Sequence, residues 1–371
     1  MALENTGRRA DSKFLIYIAI WVVFGLVALT SASAPAGYNQ FHDTYYFVKG
    51  QILKGLIPGL IAFLILAKVN YHRLEKISWP IYLIVIILQI LIFIPGFGLI
   101  VNGARSWVKL GPLSFEPSEF AKMAIILIAA TLLSDGKRDF YNWKTGILPV
   151  IAVLLPSLFL IMAQPDIGTL SILVVILFTM MYVSKIPRSS LLIIGLVGLL
   201  AFVSLMVVAP YRVKRLTTFL HPELDPKGIG YQVNQSFLAI GSGGFWGLGL
   251  GQSRQKFQYL PEVSTDSIYP IVCEEMGFMV AGGLVILILL VAWRGLLIAR
   301  ESQDEYGKLL TTGIVIWLVW QSFLNICAAV GLLPLTGVPL PFVSHGGSAL
   351  FTALAGAGIV ANVSKFTVKK I

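Results

Sequence analysis

Asp266 closes a long polar stretch directly before an apolar run, and Glu274 and Glu275 follow it by roughly two helical turns inside that run. Carboxylates inside a membrane span are costly and raise a functional hypothesis by default. At the mouth of a span such a group can act as a general base or help to hold a divalent cation, and the spacing by itself selects neither. Capping the helix that follows is the plainer role for an Asp after Thr265. Asp166 poses the same choice, because it follows the helix-disfavouring step Gln164–Pro165 and can cap the next apolar run. Glu119 and Lys122 stand three residues apart, a spacing that lets them share a helix face as a structural ion pair.

The stretch from Arg212 to Gly277 offers a different chemistry. It sets cations (Arg212, Lys214, Arg215) and amides (Gln232, Gln235) around a glycine run from Gly241 to Gly251. Arg forks and the backbone amides of Gly-rich turns hold phosphate oxygens, and amide side chains bond sugar hydroxyls, so the mixture suits an anionic, hydroxyl-rich ligand. An ordered loop with capped turns would draw on the same residues. His221 and His345 are isolated, and the chain has no P-loop, GxSxG elbow or His-rich metal motif, which leaves nucleotide-driven and soluble-hydrolase mechanisms without support. Cys273 and Cys327 lie in apolar stretches and read as reduced core residues.

The elements that must carry these residues are membrane spans. Of 371 residues, 57% are apolar and only 12% charged, against about 25% charged in soluble domains, which excludes an ordinary water-soluble enzyme. The 22 Phe, 13 Tyr and 8 Trp exclude disorder. The chain reads as an all-α polytopic membrane protein. At about 20 apolar residues per crossing, ten transmembrane helices are expected near 14–34, 51–69, 77–95, 117–134, 146–163, 167–184, 189–209, 267–293, 308–332 and 345–364. With both termini cytoplasmic, every inner connection is basic, as at Lys68, Arg73 and Lys76 or at Lys137, Arg138 and Lys144, which is the inside-positive bias. That bias, rather than nucleic acid, accounts for the formal charge of +10. The first apolar run is too long for a cleavable signal and is expected to remain as the first helix. One large extracytoplasmic loop, 210–266, joins the seventh and eighth spans as part of the same 1–371 domain, and its aromatic residues argue for order. Four polar segments, 102–122, 164–169, 212–277 and 334–348, face outward in this topology. Unsatisfied polar groups cost several kcal/mol in hydrocarbon, so these segments are expected to line an outer-face site.

The motifs NGARSW, FEPSEFAK, QPDIGT, YRVKRLTTFLHPELDP, GYQVNQSFLAIGSGG, GLGQSRQKFQYLPE, TDSIYPIVCEEMG and GLLPLTGVPLPFVSHGGS closely resemble the SEDS family, meaning FtsW, RodA and SpoVE, in order from about residue 15 to 364. GLGQSRQKFQYLPE and PYRVKR are more similar to the FtsW and SpoVE branch, while the length and TGVPLPF fit RodA almost as well; the FtsW-like reading is preferred. The resemblance implies a peptidoglycan glycosyltransferase of the bacterial cytoplasmic membrane that polymerises lipid II on the outer face, in cell division ahead of elongation. It implies as partners a class B penicillin-binding protein and other divisome or elongasome membrane proteins. It matches Asp266 to the family's catalytic aspartate, the base that deprotonates the acceptor GlcNAc 4-hydroxyl for attack on the donor MurNAc C1 with loss of undecaprenyl pyrophosphate. A divalent cation, Mg or Mn, is implied at the pyrophosphate, and no organic cofactor.

On the same resemblance, Arg105, Lys109, Arg212 and Arg215 are candidates for the donor diphosphate, Gln232 and Gln235 for sugar contacts, and Ser344 for the substrate site. Glu119, Lys122, Asp166 and Glu275 are candidates for its supporting surroundings. The chain departs from the family pattern where Ser267-Ile268-Tyr269 replaces Phe-Ile-Phe, where Glu116 replaces Gln, and where His345 stands for a frequent Tyr. The alternatives are a lipid II flippase and a noncatalytic scaffold for a penicillin-binding protein. A flippase needs polar intramembrane groups on both halves of the bundle, whereas here nearly all lie on the outer half; a scaffold makes Asp266 dispensable.

Overall fold

The computed structural model describes residues 9–101, 104–111, 113–208 and 210–368, and these are predominantly helical. Asp11 opens α1 (Ser12–Phe41) by accepting a hydrogen bond from Phe14 N at 2.8 Å, satisfying one of the first-turn donors. α2 (Tyr46–Gln51) and α3 (Ile57–Lys68) run together through a π-helical turn, Ile52–Leu56, as one apolar helix, and α4 (His72–Leu91) follows. Further along come α5 (Pro117–Ser134), α6 (Leu148–Ala163, opened by the π-helical turn Trp143–Ile147), α7 (Ile167–Val183) and α8 (Arg188–Val208). The 210–266 stretch holds α9 (Pro210–Leu220), a 3-10 turn and α10 (Ile229–Gly243) before an irregular run. α11 (Ile268–Arg300), α12 (Glu305–Ala329) and α13 (Gly347–Val363) complete the bundle.

Among the described residues, eight helices are long and apolar enough to cross a membrane. The apolar helices α7 and α8 lie where the sequence expects the sixth and seventh spans. α5, α12 and α13 are buried over most of their length and form the interior, while α3, α4 and α6 turn much of their apolar surface outward. Small residues permit the closest helix contacts: a Cβ on Gly358 of α13 would stand 2.7 Å from Phe63 O of α3.

Two expectations are corrected. The chain is not all-α, because β1 (Gly98–Val101), β2 (Ala104–Leu110) and β3 (Leu113–Phe115) form an antiparallel sheet between α4 and α5. The physical reason is a period of two: Ser106 and Val108 are buried while Lys109 between β2 neighbours is exposed, and Gly111 turns the chain at φ 61°. The helix expected over 267–293 is also broken, at Gly277 with φ 71°. The glycine run enters the break: Leu248 N donates to Glu274 O at 2.9 Å and Phe278 N to Gly244 O at 3.0 Å. A Cβ on Gly277 would fall 2.3 Å from Gly247 N, so only glycine fits there.

Candidate active site

A cavity of about 240 Å³ draws one wall from each of the four polar segments. β2 and the start of α5 supply Ser106, Trp107, Glu116 and Glu119, and the turn into α7 supplies Asp166 and Thr169. α9 contributes Arg215, and the turn before α11 contributes Glu262, Thr265 and Asp266. The segment between α12 and α13 closes the cavity with Thr336–Pro339 and His345–Ala349. The expected meeting of these segments is therefore observed.

Asp266 sits at the junction of the turn and α11, but it does not cap the helix. Ser267 holds the cap position, and no side chain makes a capping bond there. The backbone around Asp266 is clamped instead. Asn325 Nδ2 donates to Asp266 O and to Val338 O, each at 2.9 Å, and the Ser344 hydroxyl donates to Thr265 O while accepting from Leu340 N at 2.8 Å. The carboxylate is thereby aimed at the cavity, with Oδ1 buried and without a hydrogen-bond partner among the described residues. Burial first, and the negative charge of Glu262 second, push this carboxyl up to about 6, against the opposing pull of Gln232 and Arg215. Gln232 Nε2 also donates to Ser267 Oγ at 2.9 Å, which fixes it beside the aspartate.

The lining from α5 and the start of α7 is acidic. Glu119 Oε1 accepts from Lys122 Nζ at 2.8 Å, and Lys122 reaches Gln321 Oε1 at 2.7 Å beneath the Trp317 ring. This is the structural pair the spacing predicts, except that Glu119 Oε2 is left buried without a partner among the described residues. Asp166 caps α7 by accepting from Thr169 N at 2.9 Å and also lines the cavity. Glu116 accepts from Ser118 Oγ at 2.8 Å, and burial, with Glu119 and Asp166 nearby, pushes its carboxyl up to about 8. His345 is pushed below its ordinary value by burial and by Lys54, and packs edge-on against Phe47.

Other expected site residues fall elsewhere. Glu274 and Glu275 do not join Asp266 in a carboxylate cluster: Glu274 accepts from Ser253 Oγ at 2.5 Å and Arg254 N at 2.9 Å, and Glu275 from Ser31 Oγ at 2.5 Å and Lys256 Nζ at 2.7 Å. Their charges are spent on anchoring the glycine run to the break in α11. Lys109 is exposed outside the cavity, and Gln235 on α10 does not line it. Ser344 acts through the backbone of Thr265. The side chains of Arg105 and Arg212 lie outside the described residues. Among the described residues, no three of His, Cys, Asp or Glu converge as a metal site, so these side chains do not build a cation cage.

Asn325 and Gln321 escaped the sequence reading although a signal existed. They are polar residues in an apolar run, four apart and hence on one face of α12. Glu262 carried none, since nothing in the local sequence tells which turn residues will face a cavity, whereas His345 was marked by its place in the polar segment 334–348 and by its departure from the family's frequent Tyr.

The family FtsW/RodA/SpoVE, described as cell cycle protein, matches residues 11–369. Stage V sporulation protein E of Bacillus subtilis (strain 168) is 40% identical over 96% of this chain and 97% of its own. A probable peptidoglycan glycosyltransferase FtsW of Geobacter sp. (strain M18) is 36% identical over 95% of this chain and 96% of its own. Among solved structures, one from a study of structural coordination of polymerization and crosslinking by a peptidoglycan synthase complex is similar at TM-score 0.78 and 29% identity, covering 96% of this chain and 97% of that one. The Thermus thermophilus rod shape determining protein RodA is similar at TM-score 0.71 and 28% identity, covering 97% and 98%.

Proposed function

The chain belongs to the FtsW, RodA and SpoVE family of cell cycle proteins, and we propose that it is a membrane-embedded peptidoglycan glycosyltransferase that polymerises lipid II. The observation that carries this reading is the Asp266 carboxylate, held at the cavity wall by its clamped backbone with Oδ1 unpaired. A carboxyl near 6 is ionised at neutral pH yet basic enough to take a proton as a sugar hydroxyl attacks, which is the poise a general base needs. In this reading Asp266 takes the proton of the acceptor GlcNAc 4-hydroxyl as that oxygen attacks MurNAc C1 of the donor and undecaprenyl pyrophosphate leaves. Arg215 offers a guanidinium fork to the diphosphate. Gln232 holds the turn beside the base.

We place the cavity on the outer face, with ten crossings and both termini cytoplasmic, because that arrangement gives every inner connection its Lys and Arg. A division role and a class B penicillin-binding protein as partner are part of the same proposal. They are supported by relatives named FtsW and by a structural relative whose complex couples polymerization to crosslinking. A divalent cation would draw most of its ligands from phosphate oxygens and water rather than from this chain, and no step is derived through one. The test is glycan synthesis from purified lipid II by the protein and its Asp266→Asn variant, with the partner present. Loss of strands in the variant is expected; synthesis near the wild-type rate overturns the assignment.

A further inference from the structure

We propose that Glu116 is held as the neutral carboxylic acid and serves the cavity as a hydrogen-bond donor to an oxygen of the substrate. The proton-holding half stands on the cluster alone, and the donor half rests on the glycosyltransferase reading. Glu116 is the last residue before Pro117 opens α5, and its carboxyl enters the cavity with Glu119, one turn further on, and Asp166 at the start of α7. The buried ammonium of Lys122 is committed to Glu119 Oε1 and Gln321. Like charges crowded in a poorly solvated site cannot all ionise, so one of them keeps a proton.

Their partners decide which one. Glu119 is paired with the Lys122 ammonium at 2.8 Å. Asp166 accepts from the Thr169 amide at 2.9 Å as the cap of α7. Among the described residues the Glu116 carboxyl accepts only from the Ser118 hydroxyl, at 2.8 Å on Oε1, and it makes no capping bond to α5 that would use a negative charge. Its carboxyl, pushed up to about 8, agrees with this selection. The remaining ionisable groups on the cavity wall are Arg215, Glu262, Asp266 and His345. Two of the four are further acids, and burial keeps His345 from adding a compensating charge. Ser348 Oγ accepts from Glu116 N at 3.5 Å and steadies the backbone from the α13 side. A carboxylic acid has one O–H to donate, whereas a carboxylate would repel the oxygens of an anionic saccharide lipid.

The experiment uses the full chain in detergent or nanodiscs and has two arms. Thermal unfolding of wild type and Glu116→Gln is followed between pH 5 and 9. A raised folded-state value means that the unfolded chain releases the proton first, so wild-type stability falls from the ordinary Glu range up to about pH 8. The melting-temperature gap in favour of Glu116→Gln therefore widens from pH 5 to about 8 and is level above; a gap constant from pH 6 upward overturns the proposal. In the wild type alone, the infrared C=O band of a protonated carboxyl persists at pH 7 and vanishes above about 8; a band lost by pH 6 overturns it, whether or not the variant folds. In the second arm, lipid II polymerisation is measured against pH, each protein normalised to its own maximum. Wild type loses about tenfold between pH 7 and 9, as one group near 8 requires, and Glu116→Gln lacks this limb. An identical limb in both overturns the donor role. A wild type that makes no glycan at any pH overturns the glycosyltransferase reading instead, and leaves the first arm to decide the proton.

Discussion

Two groups of buried carboxylates lie on either side of the start of α11, and they are built on opposite rules. Glu274 and Glu275 are each met by several donors, among them Ser253, Arg254 N, Ser31 and the ammonium of Lys256. They lock the glycine run into the break at Gly277. Asp266 and Glu119 each keep a buried oxygen with no partner among the described residues, and both oxygens belong to residues lining one cavity. Burial of an acid therefore does not by itself mark a reaction site. What separates the two groups is acceptor capacity that the fold leaves unspent and turns toward a space where a substrate can enter.

The comparison predicts opposite phenotypes. Asp266→Asn is expected to lower polymerisation by about 10²–10⁴-fold, the usual worth of a positioned base. Its stability should not fall. The raised value of Asp266 means that wild-type stability declines as pH rises from the ordinary Asp range through about 6, so the Asn variant gains melting temperature over that window and holds the gain above it. Wild-type activity should itself fall as pH drops below about 6, since the base must be ionised. An Asp266→Asn protein that is both active and less stable would erase the distinction between the two groups.

Lys256→Met tests the other side. Removing one partner of a buried pair strands the other charge, at about 3–5 kcal/mol. Glu275 would be the stranded group, so the variant should melt well below wild type in detergent and lose the anchored 250–256 turn to protease first. Equal melting temperatures would show that this cluster is not structural.

Glu119 and Lys122 stand between the two rules, one carboxylate oxygen paired and the other without a partner among the described residues. A double-mutant cycle of Glu119→Gln and Lys122→Met on thermal stability should show a coupling of about 0.5–3 kcal/mol. Strict additivity would mean that the 2.8 Å contact contributes nothing of its own.

Much of this contrast was legible beforehand, and the illegible part has physical reasons. The four polar segments announced themselves because polar residues do not persist in hydrocarbon without a cavity, and they do line one. Asp266 stood out as a carboxylate at the mouth of a span, while its role as a base came from the family resemblance alone. Glu274 and Glu275 stood out equally and were misleading, because sequence reveals an acid but not the donors that a distant glycine run and α1 bring to it. The sheet at 98–115 was hidden by its length: strands of three to seven residues look like loop beside runs of twenty apolar residues. Asn325 was hidden by position, since its importance lies in a bond to the backbone of Asp266, 59 residues away in the chain.

Arg215 gives the smallest effect and the finest test of the cavity side of the comparison. It is the guanidinium placed by the described residues on the same wall as Asp266, and it also eases the aspartate's ionisation. Its fork can hold two phosphate oxygens at once, which the point charge of Lys cannot reproduce, while Lys preserves the positive charge felt by Asp266. Arg215→Lys should therefore raise the lipid II concentration needed for half-maximal polymerisation by several-fold, with the maximal rate, the acid limb near pH 6 and the melting temperature little changed. A shift in the acid limb without a shift in substrate dependence would show that Arg215 serves the base rather than the diphosphate. Unchanged kinetics in both respects would place Arg215 with the structural charges, and the donor's phosphates would then have to be held elsewhere.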